Sequence, residues 1–397
     1  MSADNSSGPL VTRSFVVLTA TSLVFFVAAG VVLPVVAPFA TGPLGSDEVG
    51  AGFAYGAFSI AALLLRPVVG WAADRFGRRP LLIVGALISV GALAFHLVVD
   101  SLALFIVARA ILGIAEAFFF VAVIAAGADL SPPNRRGEAL NLLSLSVYVG
   151  VGIGPAIGEL VLRAGGFSAV WLVALVLTLG AAAMVRVVPE TSPTVLKAGS
   201  GDVPRSRLFH PAGVFPGLLI LAGTSGMAGF LAFLPLHATS VGMEGAGLPL
   251  ALYAALVIGL RVIFAKLPDQ IGSVRLSGGA LAVGAIGLAI LGLAPTPTGV
   301  ILGTLTFASG IAFLMPGLLT LAVSRVSEME RGSVVGTASA FLDLAFGLAP
   351  AVLGILAARV GFGGVFLASA VASALGFVAL IGWSRTVGPQ RRATLPA

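Results

Sequence analysis

Cysteine is absent from the 397 residues, and histidine occurs only at His96, His210 and His237. The first absence removes disulfides, thiolate zinc sites, iron–sulfur ligation and a cysteine nucleophile together. The histidines are far apart in sequence and in no ligand spacing, so no catalytic metal is expected. Charge is scarce too: Asp, Glu, Lys and Arg make up 10% of the chain, against roughly 25% in soluble domains. A water-soluble enzyme does not fit that balance. G-x-x-x-x-G-K-[ST] does not occur, so nothing supports ATP-driven pumping. H-E-x-x-H and G-x-S-x-G are missing as well, which removes the obvious hydrolase signatures. The basic residues are not interleaved with exposed aromatics, so nucleic acid is not an expected partner. No cofactor is expected.

What the chain has in excess is apolar surface. Hydrophobic residues make up 58% and the mean hydropathy is +1.11, too apolar for disorder outside short loops and tails. A membrane span needs about 20 mostly apolar residues. Breaks rich in Gly, Pro and charge divide the sequence into twelve such runs. Six lie at 14–39, 49–69, 80–99, 102–127, 138–162 and 167–187. Six more lie at 213–237, 247–266, 275–294, 299–323, 333–358 and 363–384. The first run is too long for the apolar core of a signal peptide and reads as an uncleaved span.

Orientation follows from the basic residues. With the N-terminus in the cytoplasm, 19 of the 22 Lys and Arg fall on the inner side. Arg163 and Arg359 fall outside, and Arg109 lies within a span. Arg66 and Arg261, near span ends, would snorkel inward. Both termini are expected to be cytoplasmic, in a multi-pass protein of the cell membrane.

The two halves repeat. Arg66, Asp74 and Gly77 recur 195 residues later as Arg261, Asp269 and Gly272, and Pro155 recurs as Pro350. Six spans per copy give both copies one orientation, a parallel repeat around a central cavity. The expected fold is all-α: twelve helices in two six-helix bundles, residues 1–187 and 213–397, joined by a polar linker at 188–212.

The segment after span 2 reads Gly70-Trp-Ala-Ala-Asp74-Arg75-Phe-Gly77-Arg78-Arg79. It resembles the signature loop, motif A, of the major facilitator superfamily. Arg109-x-x-x-Gly113 in span 4 is similar to that family's motif B. Gly150-x-x-x-Gly154-Pro155-x-x-Gly158 in span 5 resembles motif C, typical of the drug:proton antiporter branch. The resemblance implies a cytoplasmic latch at motif A between the halves, proton coupling at the motif B arginine, and packing of span 5 against the partner half. Three departures stand out. Glu159 replaces the closing glycine of motif C, the second-half latch is reduced to Asp269-Gln-Ile-Gly272, and span 1 carries no acid.

Physical chemistry bears on each residue. Asp74 with Arg75, Arg78 and Arg79 can form contacts that close one side, or can serve as a topological anchor only. Arg109 and Glu116 lie seven apart on one face of span 4, roughly 10 Å along the axis, too far for a direct ion pair. Ionisable groups at that depth are costly unless they serve or are paired. Both read as proton-coupling residues, or else as a structural pair knitting helices. Asp343, near the middle of span 11, could be neutral in one access state and ionised in the other, or could only bridge helices. Glu159 and His237 read as interfacial. Pro34, Pro38 and Pro235 read as kinks at matching places in the two halves, or as helix ends. Phe118, Phe119 and Phe120 read as lipid or helix contacts.

These features point to a secondary transporter working by alternating access, a monomer that moves a small molecule and protons across a lipid bilayer. Proton-coupled efflux of hydrophobic or amphipathic molecules is the expected activity. The alternative is a sugar, metabolite or siderophore carrier on the same fold, with import among its directions.

Overall fold

A computed structural model describes residues 11–132, 136–191, 210–264, 267–323 and 331–387. Among them there is no strand. The helices are α1 (Arg13–Val32), α2 (Val36–Thr41), α3 (Glu48–Phe76), α4 (Arg78–His96), α5 (Leu102–Asp129) and α6 (Arg136–Val185). They continue as α7 (Val214–Ser240), α8 (Gly247–Ile263), α9 (Leu267–Ile271), α10 (Ser273–Leu293), α11 (Pro297–Val323) and α12 (Arg331–Val387). Nine helical stretches among the described residues are long and apolar enough to cross a membrane, and α8 is an apolar helix of 17 residues.

Helix is imposed by the solvent. In hydrocarbon every backbone N–H and C=O must be satisfied inside its own segment. The breaks then fall where side chains permit them. Thr12 caps α1 by accepting from the backbone N–H of Phe15 at 3.2 Å. Pro34 interrupts span 1 with a 3-10 turn, Leu33–Val35, before α2 resumes. Pro235 lies inside α7, which is assigned helical from Val214 to Ser240.

Helices α6 and α12 are long because each joins two helices across a kink at one residue. Gly166 has φ 71° and Gly361 has φ 71°, values that L side chains rarely adopt. The two glycines are 195 residues apart. Gly77 (φ 100°) and Gly272 (φ 78°) repeat the offset at the starts of α4 and α10. The backbone therefore carries the same internal period as the charges and prolines.

The chain divides into two compact units, Met1–Ser46 with Ala57–Pro204, and Asp47–Gly56 with Arg205–Ala397. The core of the first is aromatic. Phe25 of α1 stacks on Phe119 of α5 with centroids 3.8 Å apart, and Phe26 meets Phe120 edge-on at 6.1 Å. In the second, Phe230 of α7, Tyr253 of α8 and Phe307 of α11 pack together. A second aromatic group recurs with the repeat. Phe39 touches Phe167 and Trp171 in the first unit, and His237 touches Phe362 and Phe366 in the second. Positions 167 and 171 become 362 and 366 at the offset of 195. His237 is 2% exposed and its Nε2 lies 3.2 Å from the carbonyl of Leu291. It is a buried packing residue rather than an interfacial one.

Candidate functional site

Three charged side chains lie between α3 and α5 in the first unit. Glu116 of α5 is 3.7 Å from the guanidinium of Arg66 on α3, and their side chains are 10% and 25% exposed. Arg66 also sits 5.1 Å above the ring of Phe120. Arg109, at 2% exposure, is among the most buried large side chains, and lies 5.0 Å above the ring of Phe58 on α3. Between them is Gly113. A Cβ there would collide with the carbonyl oxygen of Phe58, so the glycine sets how closely α3 and α5 approach.

The sequence placed Arg109 and Glu116 on one face, and the helix does so. It did not identify their partners. Arg66, expected near a span end, lies ten residues before the end of α3 and pairs with Glu116. The signal available was an arginine inside the apolar run. What remained hidden was the helix that would present a carboxylate to it. The arrangement suits charge exchange: a proton on Glu116 would weaken its hold on Arg66 and free both groups for other partners.

Motif A occupies the end of α3 and the start of α4. Gly70 to Phe76 are helical, and the turn is Gly77 alone. Arg75 is exposed and lies over Trp71 at 5.4 Å and Phe76 at 5.9 Å. Arg78 bonds Asp129 at the end of α5 through Nε, at 3.2 Å. Arg79 donates to the carbonyl of Arg186 at 2.8 Å. Glu190 was not singled out in the sequence, and it organises this corner. Its two carboxylate oxygens accept from the backbone N–H groups of Arg78 (2.9 Å) and Arg79 (3.1 Å). That is a charged cap on the positive end of α4. Thr191 joins by donating from its hydroxyl to Asp129 at 3.2 Å. Arg78 and Arg79 thus make these bonds inside their own unit. The side chains of Asp74 and Asp269 lie outside the described residues. Gly272 repeats the turn of Gly77.

The small-residue rows pack differently from each other. Side chains added at Gly150, Gly154 or Gly158 would strike Phe26, Gly30 and Val31 of α1. Motif C therefore seats α6 on α1 of its own unit. Pro155 lies within the same row, inside helix. Ser146 adds a hydrogen bond to Ser22 at 3.0 Å. In the second unit, Gly347, Pro350 and Gly354 of α12 meet Gly56, Gly52 and Glu48 of α3 backbone to backbone. The first turns of α3 are thereby held by α12.

Glu159 is 4% exposed and pairs with the half-exposed Arg163 at 3.6 Å. The pairing is the one expected from sequence, but the carboxylate is buried rather than interfacial. Asp343 is half-buried on α12. Arg261 of α8, the repeat of Arg66, donates through Nε to the carbonyl of Ala312 on α11 at 2.9 Å. It is thus bonded across helices, as Arg66 is.

Comparison with known proteins accords with this geometry. The sequence model of the Major Facilitator Superfamily matches residues 18–338. An uncharacterized MFS-type transporter of Salmonella typhimurium is 28% identical over 335 residues, covering 82% of this chain and 84% of that one. Another, from Burkholderia mallei, is 27% identical over 407 aligned positions, covering 99% of this chain and 97% of its own. Among solved structures, the nucleoside transporter NupG superposes with a TM-score of 0.71 at 15% identity, covering 94% of this chain and 99% of that one. The human organic anion transporter MFSD10 does so with a TM-score of 0.68 at 19% identity, covering 94% and 100%. A family match running from α1 into α12, on an all-helical chain that repeats its own turns, means that the chain belongs to the Major Facilitator Superfamily of membrane transporters.

Proposed function

We propose that the chain is a proton-coupled exporter of hydrophobic or amphipathic small molecules, working by alternating access as a monomer in the cell membrane, with both termini cytoplasmic. The observation that carries this reading is the buried charge set of α3 and α5: Arg66 paired with Glu116, and Arg109 beside them on Phe58. Ionisable groups within a span cost stability and persist where they serve a pathway or a switch.

The sequence halves, 1–187 and 213–397, would be the moving bodies, with the linker 188–212 between them. Substrate enters from the basic side. A proton from the opposite side neutralises Glu116 or Asp343, and the altered pairing of Arg66 and Arg109 favours the other access state. Inward proton flow then drives outward substrate flow. The first turns of α3 pack on α12 through glycine backbone within the second unit, and in this cycle that seam would part and reseal as the sequence halves rock. Asp74 with Arg75, Arg78 and Arg79 would latch the basic side, and Asp269 with Gly272 would be its reduced counterpart.

A second reading keeps the fold and changes the cargo. The solved neighbours include a nucleoside transporter and an organic anion transporter, and a buried Arg109 would suit a polar or anionic substrate.

Everted membrane vesicles separate the two. Under an imposed proton gradient, wild-type vesicles are expected to accumulate a hydrophobic dye. Asp343→Asn vesicles should lose the gradient-driven part while retaining dye binding. Uptake of a sugar or nucleoside with no dye movement would replace the first reading by the second. Unchanged dye accumulation in Asp343→Asn would remove Asp343 from the mechanism.

A further inference from the structure

The second unit contains a groove where α9, α10 and α11 meet. It encloses about 190 Å³ and is lined by Arg275, Gly279 and Ala280 of α10 and by Ser309, Gly310 and Phe313 of α11, among others. Arg275 is exposed and is the one charged group on its wall among the described residues. The Ser309 hydroxyl is already spent on the carbonyl of Leu305 at 2.9 Å. The rest of the lining is apolar or small.

Two glycines create the groove. A Cβ on Gly279 would meet nothing within 4 Å, so its absence opens the wall. Gly310 lies against the backbone of Ala280 and Gly284, so the floor is main chain. The first half, read 195 residues earlier, has bulk in the same places. Val84 stands for Gly279, Ile114 for Ser309, and Pro80 for Arg275. The groove and its cation are therefore features that the second half does not share with its repeat.

The mouth differs in charge as well. In the first half, the space beside Gly77 is filled by the Glu190 carboxylate, which caps α4. Beside Gly272 that space is open, α10 starts with no side-chain cap, and the position 195 after Glu190 is Arg385.

We propose that this groove holds an anionic phospholipid. One acyl chain lies along Gly279, Ala280 and Phe313, and the phosphate is held by Arg275 at the start of α10. Guanidinium matches phosphate oxygens with two parallel hydrogen bonds. The apolar lining beside that cation matches the lipid's other end. Basic residues at the edge of a span attract anionic lipid selectively.

Native mass spectrometry of the purified full chain tests the proposal. The protein is exchanged into detergent with equal amounts of phosphatidylglycerol and phosphatidylcholine of identical chains. The wild type is expected to retain phosphatidylglycerol over phosphatidylcholine by about fivefold, the preference one arginine near a membrane surface supplies. Arg275→Gln should retain as much total lipid with the preference reduced to about one to one. Gly279→Leu should fill the groove and lose both lipids, and it replaces a poor helix former by a good one. If that variant is not monodisperse, Ser309→Ile fills the groove from the opposite wall. Equal retention of the two lipids by the wild type overturns the proposal. So does preference that survives Arg275→Gln, lipid retained by a monodisperse groove-filled variant, or displacement of the lipid by inorganic phosphate alone.

Discussion

Gly56→Leu is expected to reduce transport by more than about tenfold while the folded protein remains in the membrane. The added Cβ would collide with the carbonyl oxygen of Gly347, which is backbone and cannot move aside as a side chain would. Overpacking of this kind costs about 1–3 kcal/mol, occasionally more. A 3 kcal/mol penalty on the sealed seam shifts its ratio to the parted one by on the order of a hundredfold. In an alternating transporter the strain is relieved by staying parted, so the chain stays folded and stops cycling. In a static bundle the same strain has no outlet, and the variant would be lost from the membrane. Gly180→Leu is the matched control, because a Cβ at that exposed position meets nothing. It should leave both amount and transport unchanged.

The second large effect concerns Glu116. Removing one partner of a fully buried ion pair costs about 3–5 kcal/mol. Because the Arg66 side chain is a quarter exposed, Glu116→Ala is expected to cost less, about 2 kcal/mol. Replacing both charges by apolar residues of similar volume is often neutral or stabilising. Arg66→Met combined with Glu116→Met should therefore recover stability to within about 1 kcal/mol of the wild type. Transport should not recover. Thermal unfolding in detergent and gradient-driven flux in vesicles are measured on the same preparations. Recovery of both stability and transport in the double variant would reduce the pair to a structural bridge.

The legible parts of this chain are those written locally. Apolar run length gave an all-helical chain with nine stretches among the described residues long enough to span a membrane, and the backbone carries the 195-residue offset at Gly77 and Gly272 and again at Gly166 and Gly361. Both pairs are turns that need positive φ, so the sequence signal and the geometry have one cause. Long-range partners were not legible. Glu190 caps Arg78 across 112 positions of chain, and nothing beside Glu190 in sequence points to α4. The carboxylate that meets Arg66 comes from α5, fifty positions away, and nothing beside Arg66 in sequence points to it. Glycine rows fix only that a close approach occurs, not which helix approaches, so the seating of motif C on α1 was not legible either.

Parting of α3 from α12 can be read with a single thiol, because the chain has no cysteine of its own. Ala351 is 6% exposed and abuts Gly52 across the seam, and Ala→Cys changes its size little. Ala351→Cys is exposed to a membrane-impermeant maleimide, with and without Gly56→Leu. Alternating access gives slow labelling in the single variant and labelling at least about tenfold faster with the wedge, in step with the population shift it imposes. A rate unchanged by the wedge, in protein shown to be folded, would mean that the seam does not open.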